Sequence, residues 1–338
     1  MTNSPTASMT ETRYHVVGIG NAIVDVLAHA DDQFINETGL TKGTMSLIDE
    51  ETAESVYTKM GPGIECSGGS AANTIAGLAS LGADGAFIGK VKDDQLGGVF
   101  RHDITSMGIA YNTAPDTDGA STARCMIHVT PDAQRTMQTY LGACVNLGPD
   151  DIDEHMISIS QVTYLEGYLW DPEQAKKAFV KAAKAATDAG RLVSLSLSDP
   201  FCVDRHRDDF LNLVEGHVDV LFANEEEIMS LYQTESFDDA LQAARAHCSI
   251  AALTRSEKGS VVLSGDEVHI VDAEPIDVVA DTTGAGDAYA AGFLYGLTTG
   301  ESLDTCARIG SICASEVISH VGARPDVSFK DLVRKKLG

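Results

Sequence analysis

Short β-branched runs that alternate with helix-forming stretches constrain the fold of this 338-residue sequence more than any other feature. Helices are predicted between such runs, over residues 172–189 and 237–246. The predicted strands of a largely buried sheet cover residues 15–19, 86–89, 162–165, 192–197, 218–223 and 250–254. Because strands that alternate with helices form parallel sheets covered on both faces, the sequence predicts an α/β fold with a mostly parallel central sheet.

Two segments interrupt this alternation, at residues 28–49 and 111–139. In both, apolar and polar residues take turns, and turn formers such as Pro131-Asp132 separate the runs. They predict a discontinuous small β element that covers a site as a lid, although two ordinary edge hairpins would give the same pattern. The lid would belong to one α/β domain over residues 13–338, preceded by a disordered polar tail over residues 1–12.

The charge of the chain excludes one class of partner. With 24 Lys+Arg against 50 Asp+Glu, the formal net charge is −26, so we expect no nucleic-acid partner.

The seven cysteines form no CxxC pair and are predicted to be reduced thiols. Since the first residues lack a signal-peptide pattern and no apolar run approaches about 18 residues, we expect a cytoplasmic protein without a membrane partner.

The segment Asp281-Thr282-Thr283-Gly284-Ala285-Gly286-Asp287 carries the clearest chemical signal. It is predicted to lie between a strand over residues 276–280 and a helix that runs to about Leu297. Gly284 and Gly286 permit backbone conformations closed to other residues, so that amide groups converge at the helix N-terminus and bind an anion. Asp287 beside them is expected to take a proton from a nucleophile that attacks this anion, as phosphoryl transfer requires. A structural alternative is an aspartate that the helix dipole stabilises.

A second motif, Gly18-Ile19-Gly20-Asn21, directly follows the first predicted strand and precedes Asp25. Asn21 and Asp25 are therefore expected at the carboxyl end of a strand, where their side chains can bind hydroxyl groups. The two glycines also suggest a dinucleotide-binding fingerprint, but Ile23 stands where its third glycine belongs. An NAD-dependent oxidoreductase is thus the weaker interpretation.

A third motif is Ser67-Gly68-Gly69-Ser70-Ala71-Ala72-Asn73-Thr74. The three motifs resemble those of the ribokinase/PfkB family of carbohydrate and nucleoside kinases, and they occur in the same order along the chain. The resemblance runs from about Tyr14 to Pro325. Residues 281–287 are similar to the C-terminal signature of the family, and residues 67–74 to its N-terminal signature. Within the family, residues 18–28, 39–45, 194–201 and 218–226 look closest to adenosine kinase-like members.

The resemblance implies a set of site residues. Asp287 would be the catalytic base, with Gly284, Ala285 and Gly286 around the transferred phosphoryl group. The implied acceptor-binding residues are Asn21, Asp25, Gly68, Gly69, Ser70, Asn73, Arg135, Tyr168 and Phe201. The implied nucleotide-binding residues are Asn224, Thr254, Arg255, Gly259, Thr283, Ala314 and Gly322. Ser256 departs from the family pattern, which has a glycine there.

Metal ions are also implied by the resemblance. Asn224 and Glu227 match the family's NxxE motif, so that Glu227 would hold Mg2+ through water. Asp281 would bind a monovalent cation such as K+, although Asp326 stands where a smaller residue is expected. Taken singly, the motifs have structural interpretations too: residues 67–74 as a tight turn, three glutamates as a helix start, and Arg255 as a surface arginine.

The expected activity is transfer of a phosphoryl group from ATP to an alcohol, with adenosine the favoured acceptor. Leu40, Met45, Leu141, Tyr168 and Phe201 could form an apolar platform for a base, although residues 166–169 are less aromatic than expected for an adenosine kinase. A sugar or sugar acid, with Arg135 binding a carboxylate or phosphate, is the alternative acceptor. A non-catalytic sensor on the same fold is more remote, and a homodimer through the lid is a further prediction.

Overall fold

Two β-sheets organise the chain, and the computed structural model describes residues 11–132 and 134–338. Residues 1–10 of the predicted polar tail therefore lie outside the described residues. Within those ranges, the strands of the large sheet are β1 (Tyr14–Ile19), β5 (Gly85–Ile88), β6 (Ala110–Tyr111), β9 (Ser160–Glu166), β10 (Leu192–Ser196), β11 (Val220–Asn224), β12 (Ile250–Thr254), β13 (Ser260–Ser264) and β14 (Glu267–Val271). Those of the small sheet are β2 (Ile23–His29), β3 (Met45–Leu47), β4 (Ile64–Gly68), β7 (Ala123–Val129) and β8 (Arg135–Tyr140).

The large sheet has the order β14-β13-β12-β11-β10-β9-β1-β5-β6. Its strands are parallel from β12 to β6, and β13 and β14 continue it as antiparallel strands. All six strands predicted from β-branched runs are confirmed in this sheet. Because the strands are parallel, the carboxyl ends of β1, β9, β10, β11 and β12 lie along one edge, where loops that carry polar side chains meet.

Among the described residues, helices surround the two sheets. They are α1 (Asp32–Glu37), α2 (Glu50–Lys59), α3 (Ser70–Leu81), α4 (Gln95–Ser106), α5 (Glu154–Ser158), α6 (Glu173–Asp188), α7 (Pro200–His217), α8 (Glu225–Tyr232), α9 (Phe237–His247), α10 (Ala285–Thr299), α11 (Leu303–Val317) and α12 (Phe329–Leu337). Adjacent residues of β1 enter opposite cores: Val17 packs with residues of α5 to α9, and Val16 packs with residues of α3, α4, α10 and α11. The α/β fold predicted from the alternation of strands and helices is therefore confirmed.

The small sheet has the order β3-β8-β7-β2-β4. It includes residues outside the two predicted segments, because β2 starts before residue 28 and β4 lies between the two segments. Tyr111, the first residue of the second predicted segment, belongs instead to β6 (Ala110–Tyr111) of the large sheet. One face packs against Ala53 and Val56 of α2. On the other face Asp25 lies in register between Cys66 and Cys125. The role of this sheet as a lid stays a prediction.

The strand predicted over residues 276–280 is wrong. This segment has no strand partner; Ala280 instead donates its amide to the Ile318 carbonyl at 2.8 Å, after the end of α11. Val278 and Val279 are 66% and 54% exposed, so these apolar side chains do not enter the core. Among the helices that the structure describes, none is long and apolar enough to cross a membrane.

Candidate active site

The first turns of α3 and α10 meet at Asp287. Gly284 caps α10 with a φ of +78°, a left-handed conformation that favours glycine, and a Cβ there would lie 2.7 Å from the Ala323 Cβ. Ser70 Oγ donates a hydrogen bond of 2.6 Å to Asp287 Oδ1. Asn73 Nδ2 donates one of 3.2 Å to Asp287 Oδ2. The Asp287 carboxylate is thus held beside the amides of the predicted anion nest.

The electrostatic surroundings of Asp287 and Asp25 are shared. Burial raises the pKa of Asp287, while the hydrogen bonds from Ser70 and Asn73 and the charge of Arg324 act to lower it. Burial raises the pKa of Asp25 to about 6, against the opposing charges of Arg324 and Arg135. The negative charge of Asp287 adds to the rise in the pKa of Asp25. A polar acceptor bound here would add hydrogen bonds to groups that are poorly hydrated.

Glycines after β4 bring the backbone close to Asp25. A Cβ on Gly68 would lie 2.3 Å from Asp25 Oδ2, a distance that only the absence of a side chain permits. Gly69 has a φ of +98° and starts the turn into α3, where Ser70 and Asn73 lie. The structure therefore brings Asp25, Gly68, Gly69, Ser70, Asn73 and Asp287 of the predicted set together.

Asn21 lies deeper than the sequence suggested, and its partner Glu166 was not predicted. The side chain of Asn21 is buried, and its Nδ2 donates to Glu166 Oε1 at 2.6 Å while its Oδ1 accepts from Cys144 Sγ at 3.0 Å. Glu166 also accepts from the Ala71 amide at 2.8 Å, in the first turn of α3. Burial raises the pKa of Glu166 to about 7. The one sequence signal was a glutamate immediately after a predicted buried strand.

Arg324 is a second residue that sequence reasoning missed. Its Nη2 donates to the Ser67 carbonyl at 2.6 Å and to Ser67 Oγ at 3.0 Å. Ser67 Oγ in turn donates to Asp103 Oδ2 at 2.6 Å. Arg324 therefore fixes the end of β4 and places a positive charge near Asp25 and Asp287. Its position in a segment otherwise assigned to the nucleotide concealed this role.

Arg135 and Asp281 form an ion pair between the small sheet and the loop before α10. Arg135 Nη1 lies 2.6 Å from Asp281 Oδ2, and the two side chains are 6% and 8% exposed. Asp281 Oδ1 also accepts from the amide and hydroxyl of Thr283, at 3.1 and 2.8 Å. Asp281 Oδ2 accepts from the Gly322 amide at 3.3 Å. Since donors and a guanidinium surround this carboxylate, the assignment of Asp281 to K+ does not fit the structure.

The NxxE motif forms a helix cap. Asn224 Oδ1 accepts from the Glu227 amide at 2.8 Å, and Glu227 accepts from the amide and Nδ2 of Asn224 at 3.0 and 2.6 Å. Burial, together with the charges of Asp199 and Glu226, raises the pKa of Glu227 to about 7 against the hydrogen bond from the Asn224 amide. This negative cluster suits Mg2+, which keeps several waters and needs only one or two carboxylates besides substrate phosphates. Among described residues, no three His, Cys, Asp or Glu side chains could hold a metal.

The predicted phosphate turn contains Arg255, Ser256 and Gly259. Arg255 pairs with Glu225 at 2.9 Å and lies 4.1 Å from the ring centre of Phe237, so its charge is already engaged. Ser256 adopts a φ of +52°, which the glycine expected at this position would adopt more easily. Position 259 requires glycine, because a Cβ there would lie 2.0 Å from the Val271 carbonyl oxygen.

The remaining predicted residues lie on several elements. Thr254 ends β12 in register with Asn224, and Ala314 lies on the last turn of α11. Tyr168 and Phe201 follow the neighbouring strands β9 and β10, with 45% and 73% of their surfaces exposed. Met45, on the edge strand of the small sheet, is also exposed. These apolar groups are open to a bound molecule, unlike core side chains.

A mostly parallel sheet with an anion nest and a held aspartate at one helix N-terminus defines a phosphotransferase that acts on an alcohol. The chain belongs to the pfkB family of carbohydrate kinases, whose model matches residues 45–329. It is therefore a sugar or nucleoside kinase of that family, which uses ATP and typically Mg2+.

Relatives with both kinds of acceptor are similar to it. The adenosine kinase structure from Sinorhizobium meliloti is 51% identical, with a TM-score of 0.88 over 96% of this chain and 99% of that one. A probable sugar kinase from Rhizobium etli is 49% identical, with the same TM-score and coverage. An ATP-dependent ribose-1-phosphate kinase of Halopiger xanaduensis is 32% identical over 77% of this chain and 83% of its own length.

Proposed function

We propose that this kinase transfers the γ-phosphoryl group of ATP to a primary hydroxyl of a nucleoside, with adenosine the favoured acceptor. One observation carries the proposal: the Asp287 carboxylate, held by Ser70 and Asn73, lies in the first turn of the helix that Gly284 caps. A base beside an anion-binding helix terminus is the arrangement that phosphoryl transfer to an alcohol requires.

The acceptor would lie between the two sheets. Asp25 on β2 and the backbone at Gly68 and Gly69 would bind its hydroxyls, and Asn73 would direct one hydroxyl to Asp287. The small sheet would exclude water from this space, which limits wasteful hydrolysis of ATP. Asn21 would act through Glu166, since its amide is already bonded inside the protein.

Proton transfer would be the task of Asp287. One oxygen of its carboxylate would take the hydroxyl proton while the amides of Gly284, Ala285 and Gly286 offset charge on the transferred group. Mg2+, held near Glu227 with the nucleotide phosphates, would supply further neutralisation. Because the transition state is loose, positioning by Ser70 and Asn73 should count for more than the basicity of Asp287.

Two exposed aromatic side chains support a nucleoside acceptor. Tyr168 and Phe201 follow adjacent strands at the sheet edge that carries the site, and a base can pack on such rings. A free sugar gains little from them. The adenosine kinase from Sinorhizobium meliloti, at 51% identity, adds weight to the same choice.

A second candidate acceptor is an anionic sugar. Arg135 is buried on the same face of the small sheet as Asp25. Its Nη1 forms the ion pair with Asp281, and within the described residues none of its three guanidinium nitrogens has a hydrogen-bond partner. A guanidinium of this kind binds carboxylate or phosphate well. The ribose-1-phosphate kinase relative from Halopiger xanaduensis supports this alternative.

A coupled ADP-release assay over a panel of acceptors tests the proposal. The panel contains adenosine, other nucleosides, ribose, ribose 1-phosphate, fructose and 2-keto-3-deoxygluconate, each with ATP and Mg2+. Adenosine should give the highest kcat/KM, and 5′-deoxyadenosine, which lacks the accepting hydroxyl, is the matched negative control. A higher kcat/KM for ribose 1-phosphate or a sugar acid would move the assignment to the second candidate.

A further inference from the structure

The carboxylate of Asp281 already has three hydrogen-bond donors and a buried cation as close partners. An ionised carboxylate offers about four acceptor positions on its two oxygens. The amide and hydroxyl of Thr283 and the amide of Gly322 take three of them by hydrogen bonds. Arg135 Nη1 lies 2.6 Å from Asp281 Oδ2 and pairs with the carboxylate by charge. A carboxylate with this set of partners is neutralised and needs no further cation.

The partner at the fourth position is itself a permanent cation. Arg135 is the first residue of β8, and its side chain points to the same face of the small sheet as Asp25, whose pKa it lowers. The guanidinium is always charged and has only donors, so it repels a metal cation and offers it no ligand. Both side chains of the pair are more than nine-tenths buried, so water screens this repulsion weakly.

We propose that the Arg135 guanidinium takes the place of a monovalent metal cation at Asp281, so that this kinase needs no K+. The inference rests on the proposed function for its kinetic consequence only. The positive charge that orders the loop before α10 is part of the small sheet. The protein itself therefore supplies the positive charge at Asp281, and no ion from the solvent is needed.

Thermal unfolding tests this without any acceptor. A cation that binds only the native state raises the Tm with its concentration. Wild-type protein should therefore show less than about 1 °C difference in Tm between KCl and choline chloride at equal ionic strength. R135Q removes the charge, exposes the Asp281 acceptor positions and should gain a K+-specific rise in Tm of more than about 2 °C.

Arg124 provides the matched control. It lies on β7 of the same sheet, is equally buried, and forms an ion pair of 2.6 Å with Glu54 on the face that packs against α2. R124Q should lose stability without any preference between KCl and choline chloride. A K+-specific rise in the Tm of wild-type protein overturns the proposal, and so does an R135Q variant that is stabilised equally by both salts.

Kinetics give the second readout. The wild-type rate of ADP release with ATP, Mg2+ and adenosine should stay within about twofold when choline replaces K+, whereas R135Q should recover activity with K+ alone. If no acceptor is phosphorylated, the proposed function fails, but the Tm comparison still shows whether the protein binds K+. If R135Q does not fold, the wild-type response to K+ remains sufficient, because a K+-specific effect on its Tm or rate contradicts the proposal.

Discussion

Ser70 Oγ donates a hydrogen bond of 2.6 Å to Asp287 Oδ1, joining residues 217 positions apart in the sequence. The bond connects the first turn of α3, which follows the acceptor loop, to the first turn of α10, which follows the predicted anion nest. On the proposed function, acceptor and phosphoryl donor would be positioned by two helices that pack directly on each other. A change in either helix start should be felt at the Asp287 carboxylate.

Replacement of Asp287 by asparagine should leave the affinity for ATP nearly unchanged and lower kcat roughly 10²-fold or more, because the proton acceptor is lost. Equilibrium binding of ATP and single-turnover kinetics measure the two quantities. Asp304, also in the first turn of a helix, is the matched control, and D304N should retain wild-type turnover. A D287N enzyme as active as wild type would contradict the assignment.

Removal of the Ser70 hydroxyl should move the acid limb of the pH profile. The hydrogen bond from Ser70 lowers the pKa of Asp287, so S70A should raise that pKa and shift the acid limb of kcat/KM to higher pH. Activity at low pH should fall more than activity at high pH. An equal loss at every pH would mean that Ser70 orients the carboxylate without tuning its ionisation.

The close approach of Gly68 to Asp25 predicts a selective defect. A Cβ in G68A would lie 2.3 Å from Asp25 Oδ2, so the carboxylate must move and the acceptor KM should rise by about tenfold or more while the ATP KM changes little. Gly98 of α4 is the control, because a Cβ there meets open space. G98A should keep both KM values and gain up to about 1 kcal/mol of stability.

Glu166 should make the protein less stable as the pH rises. Its folded pKa of about 7 lies above the ordinary value, so the folded state holds a proton that the unfolded chain has released, and stability falls between about pH 5 and 7. The cost is on the order of 3 kcal/mol, and it is fully present above pH 7. E166Q should therefore show a flatter dependence of Tm on pH than wild type. Parallel Tm curves would exclude an ionising Glu166.

The strands and the order of the motifs were predictable because they depend on local pattern. Runs of β-branched residues such as 218–223 signal buried strands, and Gly284 signals the turn before α10. Gly286, predicted to share that turn, lies inside α10 and has no positive φ. Local pattern also misled, since residues 276–280 resemble a strand although they pair with none, and Ala280 bonds instead to Ile318. Apolar composition does not report whether a neighbouring strand is present.

Contacts across the fold were not predictable from single motifs. Glu166 meets Asn21 across 145 positions of sequence, and Arg135 meets Asp281 only because β8 lies over the loop before α10. Arg324 reaches Ser67 in the same way. A cytoplasmic location and a dimer through the small sheet stay predictions, because neither depends on contacts within one chain.

The connection between the two sheets limits how the small one can reorient. Only residues 20–22 separate β1 from β2, and an extended chain of that length spans about 10 Å at most. Gly20 has no space for a side chain, since a Cβ would lie 2.2 Å from Glu166 Oε2. The chain is thus anchored at a pivot within a few residues of Asp25. A swing of the small sheet that moves the far strand β3 by a large distance would therefore displace the Asp25 carboxylate only slightly.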